Sequence, residues 1–268
     1  MNLIINPAQS DTINKLLASP SQALLLTGNT GVGLYTIASH IIDGHPSITI
    51  RPTLATQNSS MPQIDIATIR SLYSRLSTKN NARRYVIIDD ADKMTIPAQN
   101  SLLKLLEEPS DFVSFVLTSH NPERLIATVK SRLQHIFIQN CTSQQTNKVL
   151  DAAVELSDTE RQQLAFIASG LPAELNRCIS DKSYRDNTIQ STVTAKMLLE
   201  GDVAYRSSMI STIPNNRSDV LALLDKMILL ISRRPHKQSI KLLHRLLECQ
   251  RCIQLNCNIR LQLLEAMV

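Results

Sequence analysis

The sequence predicts an α/β fold in its first half, a five-stranded parallel sheet covered by helices on both faces, followed by an all-helical second half. Three observations carry this. Five short, continuous apolar runs are separated by segments long enough for crossover helices, the pattern of a buried parallel sheet. Three of only six glycines, Gly28, Gly31 and Gly33, fall within six consecutive positions behind the first of those runs. Beyond about Asn140 the β pattern stops, and helical spacing with short polar connections continues to Val268.

The elements follow in order along the chain. Ala23 to Thr27, ALLLT, is the first strand, and a helix opens at the glycine cluster behind it. Ser47 to Ile50 is the second strand. The polar, Ser/Thr/Asn-rich segment Thr53 to Gln63 then reads as a mobile surface loop. Tyr85 to Asp89 is the third strand. Ala98 to Glu108 is the clearest crossover helix, because Leu102, Leu105 and Leu106 form one apolar face and Pro109 marks the stop. Phe112 to Leu117 and Gln134 to Ile138 complete the sheet. Helices are expected over Thr142 to Glu155, over Ser157 to Ser169 and after Pro172, with several more to the end. The segment DKSYRDN, near Lys182, separates a small three-helix unit from a longer helical stretch. The expected division is therefore 1–139, 140–182 and 183–268. No internal repeat or low-complexity tract is visible.

With 268 residues, 43% of them hydrophobic and 19% charged, the chain can bury a core in one to three domains, which excludes a disordered or collagen-like protein. Its longest apolar stretch, Leu221 to Ile231, is broken by Asp225 and Lys226 and falls short of the roughly 18 residues of a membrane span. The opening MNLIINPAQS lacks the basic start and apolar core of a secretory signal. A cytoplasmic location with no membrane partner is expected, and the sequons at Asn58 and Asn216 then carry no meaning. Five cysteines, odd in number, describe reduced thiols and no disulfide framework. A net charge of +5 permits a nucleic-acid partner. Aromatic residues are only 3% and Trp is absent, so such contacts would be to phosphates and not to stacked bases.

The glycine cluster, Gly28-Asn-Thr-Gly31-Val-Gly33-Leu34-Tyr35-Thr36, has the frame of a phosphate-binding loop, in which backbone N–H groups turn inward around an anion at a helix N-terminus. Such a loop also needs a Lys after its last glycine and then Ser or Thr for Mg²⁺. Leu34 and Tyr35 stand at those positions, with Thr36 one residue further on. The cluster is either a phosphate loop without its phosphate chemistry or a plain strand-to-helix turn. Asp89 and Asp90 end a buried strand, at the sheet edge where ligands bind in open α/β folds. In an ATPase the first acid would hold Mg²⁺ through water and the second, usually Glu, would polarise the attacking water. Asp90 is one methylene short for that task, and without a Lys upstream a structural or vestigial role is favoured.

The run VIIDDADKMTIPAQNSLLKLLEEPSDFVSFVLTSHNPERLIATVKSRLQ, with its acidic strand end, AxNSLLKxLEEP helix, Thr118-Ser119 strand end, NPERL segment and Ser131-Arg132 pair, resembles the bacterial DNA polymerase III clamp-loader subunits of the AAA+ superfamily. The resemblance is strong over about 50 residues and looser over most of the chain, including Ser169 to Ala173 and the ending Asn258 to Glu265. It implies a P-loop NTPase-like α/β domain, a three-helix lid and a helical collar through which five subunits form a ring that opens a sliding clamp around primed DNA. Within the family, the altered loop points to the δ′ type of subunit and away from the ATP-hydrolysing γ/τ type. The implied partners are the γ/τ and δ subunits, the β sliding clamp and, through the complex, primed DNA without sequence preference. No cofactor of its own is expected, since ATP and Mg²⁺ would be held by a neighbouring subunit.

Arg132 occupies the place of the family's Ser-Arg-Cys arginine, which reaches across an interface to a neighbour's ATP, and Leu133 replaces the Cys. A guanidinium suits that role because it is permanently charged and presents a rigid donor fork to phosphate oxygens. Thr118 and Ser119 stand at the sensor-1 position, where they are expected to satisfy backbone groups at a strand end. Near Gly170 the expected nucleotide-contacting Arg is missing, with Arg177 a turn later. One alternative is a divergent γ/τ-like ATPase in which Thr36 and Asp89 still organise Mg²⁺. Another is a non-replicative AAA+ adaptor on the same core.

No metal site is expected. The four-cysteine zinc module of many clamp-loader domains is absent from Gly44 to Ile50. His244, Cys249, Cys252 and Cys257, despite a central C-x-x-C, have unsuitable spacing in a leucine-rich helical region. Arg70, Arg75, Lys79, Arg83 and Arg84 concentrate positive charge ahead of the acidic strand; they read as a solvated helix face that the resemblance allows to meet phosphates.

Overall fold

The computed structural model describes all residues except 1–2, 19–20, 55–60, 77–82, 109–111, 214–215, 234–236 and 268. Asn58, Lys79, Pro109 and the centre of the expected 53–63 loop lie outside the described residues. The chain divides into two compact units, Met1–Ser180 and Asp181–Val268.

The first unit is built on five parallel strands, β1 (Ala23–Gly28), β2 (Ser47–Ile50), β3 (Arg84–Ile88), β4 (Val113–Ser119) and β5 (Gln134–Ile138), in the order β2-β3-β4-β1-β5. In the register, Leu25 lies opposite Leu117 on one side and His135 on the other. The central strands are continuous apolar runs because both of their faces are covered. Successive side chains point to opposite faces. On one face Leu25, Val86, Ile88, Phe115 and Leu117 pack with α3 (Ile66–Leu76) and α4 (Ile96–Glu107) through Ile69, Leu72, Ala98 and Leu102. On the other, Leu24, Leu26, Tyr85, Ile87 and Val116 pack with α1 (Ser10–Ala18) and α2 (Leu34–Ile41) through Ile13, Leu34, Ile37 and Ile41. The edge strands β2 and β5 are mostly exposed or half-buried.

The differences from expectation are local. Asp89 follows β3 instead of ending it, and Phe112, 43% exposed, precedes β4, which runs on through Thr118 and Ser119. Helix α1 was not anticipated from the sequence; among its described side chains Ile13 and Leu16 are the buried hydrophobics. Helix α4 starts earlier than its apolar spacing because Thr95 caps it, accepting from the Ala98 N–H, with Pro97 in the first turn. After α5 (Ala127–Lys130) and β5, three helices complete the unit: α6 (Ser143–Ala152), α7 (Asp158–Ile167) and α8 (Pro172–Ser180). Thr142 and Ser157 are the caps of α6 and α7, each closing a capping box with Gln145 or Glu160.

The second unit holds α9 (Lys182–Glu200), α10 (Val203–Thr212), α11 (Arg217–Arg233), α12 (Lys237–Gln254) and α13 (Ile259–Met267). Leu198, Val220, Leu224, Met227, Leu246, Ile253 and Leu263 form its core. The segment DKSYRDN begins where the two units divide: Asp181 caps α9 by accepting from the Tyr184 N–H, and the rest forms the first turns of that helix. Its polar composition marks an outer helical face, from which Arg185 and Thr188 turn inward. Among the described residues no helix is long and apolar enough to cross a membrane.

Candidate functional site

The glycine cluster joins β1 to α2 at the carboxyl edge of the sheet. Gly31 and Gly33 have φ of 88° and 92°, the left-handed region that favours glycine. Both lie under the start of α8. A Cβ on Gly31 would come within 2.9 Å of Glu174 Cβ, and the Ala173 and Glu174 N–H groups donate to the Gly31 carbonyl at 2.9 and 3.2 Å. Gly28 has a different reason, since a Cβ there would lie 2.8 Å from the Ile138 carbonyl of β5. Leu34 is 2% exposed and belongs to the core beneath the loop. Tyr35 is half-buried and Thr36 is exposed.

The ends of β2, β3 and β4 bring the acids and three basic side chains together. Thr118 Oγ1 donates to Asp89 Oδ1 at 2.7 Å and accepts the Asp90 N–H at 3.0 Å. Ser119 Oγ accepts the Asn121 N–H at 3.2 Å. Arg51, directly after β2, places Nε 3.5 Å from Asp89 Oδ2, and its guanidinium carbon lies 4.2 Å from the centroid of the Tyr35 ring, a cation–π contact. Lys93 Nζ donates to Asp90 Oδ2 at 2.7 Å. His120 Nε2 is 3.7 Å from Asp90 Oδ1, and its Nδ1 is 2.9 Å from the Gly28 carbonyl. Asp90 itself takes a left-handed conformation, φ 52°. Each carboxylate of the pair thus has a basic side chain of the same chain beside it. Arg51, Lys93 and His120 were missed by the sequence reading. Arg51 carried a usable signal, its place immediately behind a strand and hence at the carboxyl edge.

Arg132 stands elsewhere. It precedes β5, and in a parallel sheet that puts it at the amino edge, opposite the glycine cluster and the acids. Its Nη2 pairs with Glu107 Oε1 at the end of α4 at 2.7 Å, and its Nη1 donates to the Thr128 carbonyl at 2.8 Å. The side chain remains 35% exposed. A buried glutamine, Gln99, holds the segment leading to it. Gln99 is 1% exposed; its Nε2 donates to the Met94 and Arg124 carbonyls at 3.2 and 3.1 Å, and its Oε1 accepts the Ile126 N–H at 2.8 Å. Leu133 is buried in the core on that face.

A cavity of about 490 Å³ lies beside the loop, lined among others by Gly33, Thr36, Ala173, Asn176 and Arg177. The basic cluster ahead of β3 does not act as one patch. Arg70, Arg75 and Arg83 are exposed, whereas Arg84 turns its guanidinium onto the Arg75 and Leu76 carbonyls at the end of α3. Among the described residues no group of three or more His, Cys, Asp and Glu side chains converges as a metal site.

Residues 43–142 match a family model described as DNA polymerase III, delta subunit. The DNA polymerase III subunit delta′ of Pseudomonas aeruginosa is 31% identical over 132 residues, 46% of this chain and 37% of the relative. Over this stretch the chain is similar to subunits of DNA polymerase III. A second relative, the DNA polymerase III subunit tau of Bacillus subtilis, is 29% identical over 171 residues, covering 60% of the chain and 30% of the relative. The chain therefore spans only about a third of the length of these two relatives, and it resembles a delta′ and a tau to similar degrees. In fold it is similar to a gamma subunit-related protein of Thermotoga maritima, with a TM-score of 0.55 over 97% of both chains at 18% identity.

Proposed function

We propose that the chain is a δ′-type clamp-loader subunit that does not turn over ATP and donates Arg132 to a nucleotide held by a neighbouring γ/τ subunit. The observation that carries this reading is the contrast between the two sheet edges. At the carboxyl edge, a magnesium–triphosphate would need a lysine at position 34, a small hydroxyl at 35 and a free carboxylate at 89. The chain has a core leucine, a tyrosine and an aspartate paired with Arg51, so the residues present do not fit the group. At the amino edge, Arg132 is partly exposed and held by a surface ion pair, the Thr128 carbonyl and the Ser131 hydroxyl.

In this reading Met1–Ser180 contains the AAA+ domain and, from 140, the lid, while the helices beyond form a collar that joins γ/τ and δ. The complex works in the cytoplasm on a sliding clamp and primed DNA. The test is reconstitution with γ/τ, δ and the clamp. Arg132→Ala should assemble normally and lower ATPase turnover by a large factor, since a trans arginine contributes about 10³ to 10⁵ in well-studied NTPases. Unchanged turnover would reject the finger.

One observation favours a second reading, a divergent γ/τ-like ATPase. The cavity beside the loop brings Thr36 and Arg177 to its lining, a hydroxyl and a cation within one concave site. On that reading the isolated chain hydrolyses ATP and loses activity in Asp89→Ala; on the first it neither binds nor hydrolyses Mg²⁺-ATP.

A further inference from the structure

The end of α12 brings two cysteines together. The Cys257 N–H donates to the Cys252 carbonyl at 3.0 Å and the Asn256 N–H to the Ile253 carbonyl at 3.1 Å. Asn256 has φ 68°. These are the two bonds and the left-handed residue of a Schellman ending, in which the side chains at the two ends of the outer bond meet, commonly as an apolar contact. Here both of them are thiols. The Cys252 thiol donates to Glu248 Oε1 at 3.9 Å, Cys257 lies close enough to help raise it, and both residues are partly exposed. Cys249 completes the C-x-x-C of the sequence but is not part of this pair. It is 2% exposed, and burial, followed by Cys252 and Glu265, pushes its thiol up to about 12.

We propose that Cys252 and Cys257 form an intrachain redox pair that closes to a disulfide across the end of α12 by exchange with a small-molecule disulfide such as oxidised glutathione. One thiol loses its proton to solvent and attacks the glutathione disulfide, releasing one glutathione thiol and leaving a mixed disulfide. The second protein thiol then displaces the remaining glutathione. Two protein thiols lose two electrons and two protons, and one glutathione disulfide becomes two thiols. The backbone bond between residues 252 and 257 keeps their Cα atoms within the span of a disulfide. The exchange is slow, over minutes to hours, because desolvation, Cys257 and Glu248 raise the Cys252 thiol above its ordinary 9.0 and leave little thiolate at neutral pH.

The test is the full chain equilibrated in glutathione redox buffers, then digested with trypsin under acid quench and weighed. Cleavage after Arg251 and Arg260 puts Cys252 and Cys257 in one peptide and Cys249 in the preceding one. Wild type and Cys249→Ser should both yield the 252–260 peptide lacking two hydrogens, without an adduct. Cys252→Ser and Cys257→Ser should each carry one glutathione on the remaining thiol. A wild-type peptide with two glutathiones, a link between the 249 and 252 peptides, or thiols that stay unreacted in the folded chain would each overturn the proposal. The wild-type digest decides the matter even where a serine variant does not fold.

Discussion

Replacing Leu34 by Lys would restore the residue that a phosphate loop has at this place, and the structure predicts that it will not restore the function. Leu34 opens α2 with its side chain 2% exposed, in the core with Ile37 and Ile138. Removing a buried leucine forfeits about 1.5–3 kcal/mol of apolar burial. An ammonium there adds about 1–3 kcal/mol of desolvation, reduced where the stem snorkels, and a cation at a helix N-terminus adds about 0.3–1 kcal/mol. A loss of about 3–5 kcal/mol follows, which in a unit of this size lowers the melting temperature by about 10 °C. Leu34→Met, close in volume, should lose less than about 1.5 kcal/mol. Thermal unfolding of the three proteins, with titration of a fluorescent ATP analogue and Mg²⁺, measures both consequences. A Leu34→Lys protein that keeps its melting temperature and gains Mg²⁺-dependent binding would refute the reasoning, because the side chain at 34 would then face the loop's mouth and not the core.

Other perturbations separate local causes. Gly31→Ala and Gly44→Ala both place a Cβ at positive φ, 88° and 78°, but only the first meets α8, while nothing lies within 4 Å of the second. Gly44→Ala should lose about 1–2 kcal/mol for the left-handed backbone alone and Gly31→Ala clearly more; equal losses in chemical denaturation would mean that α8 does not press on the loop. Gln99→Ala leaves the buried Ile126 N–H and two carbonyls without their partner, a loss of about 2–4 kcal/mol, and a near-neutral result would show that the segment leading to Arg132 is held by other means. Hydrogen bonds from the Thr68 hydroxyl and the Thr68 N–H hold the Asp65 carboxyl below its ordinary 3.8. A depressed acid stabilises the fold above its unfolded value and loses that contribution as pH falls through the lower, folded one. The gap in melting temperature between wild type and Asp65→Ala should therefore be full near neutrality and shrink below pH 3.8; a gap independent of pH would assign the difference to helix propensity.

The sheet was legible in the sequence because its central strands are buried on both faces and therefore appear as unbroken apolar runs. Ends were less legible. A strand's last residue and a helix's cap are decided by hydrogen bonds, as with Thr95, Thr142 and Ser157, and these residues were either left out of their helices or counted inside them. The acids and the glycine frame were found because they lie next to strands in sequence. The basic side chains beside the acids were not, because Arg51, Lys93 and His120 follow three different elements and converge only through the order β2-β3-β4-β1. DKSYRDN stands where the two units divide, and only its local form was hidden, since a polar run has one composition whether it is a loop or the outer face of a helix start.

The same topology bears on the proposed division of roles between the two sheet edges. Leu34 is packed with α1 and α2 on one face of the sheet, at the carboxyl ends of the strands. The segment that carries Arg132 is packed with α3 and α4 on the other face, through Leu125, Val129 and Leu133, and is fixed at Gln99. The glycine loop and the Arg132 segment share neither an edge nor a core cluster, whereas the acids, flanked by Ile88 and Ala91, stand on the same cluster as that segment. A leucine at 34 and a tyrosine at 35 therefore lie away from the packing that places Arg132. On the proposed reading the Arg132 guanidinium has to leave its partner in this structure, Glu107, which is half-exposed, and a surface pair of this kind is worth only about 0.2–1 kcal/mol.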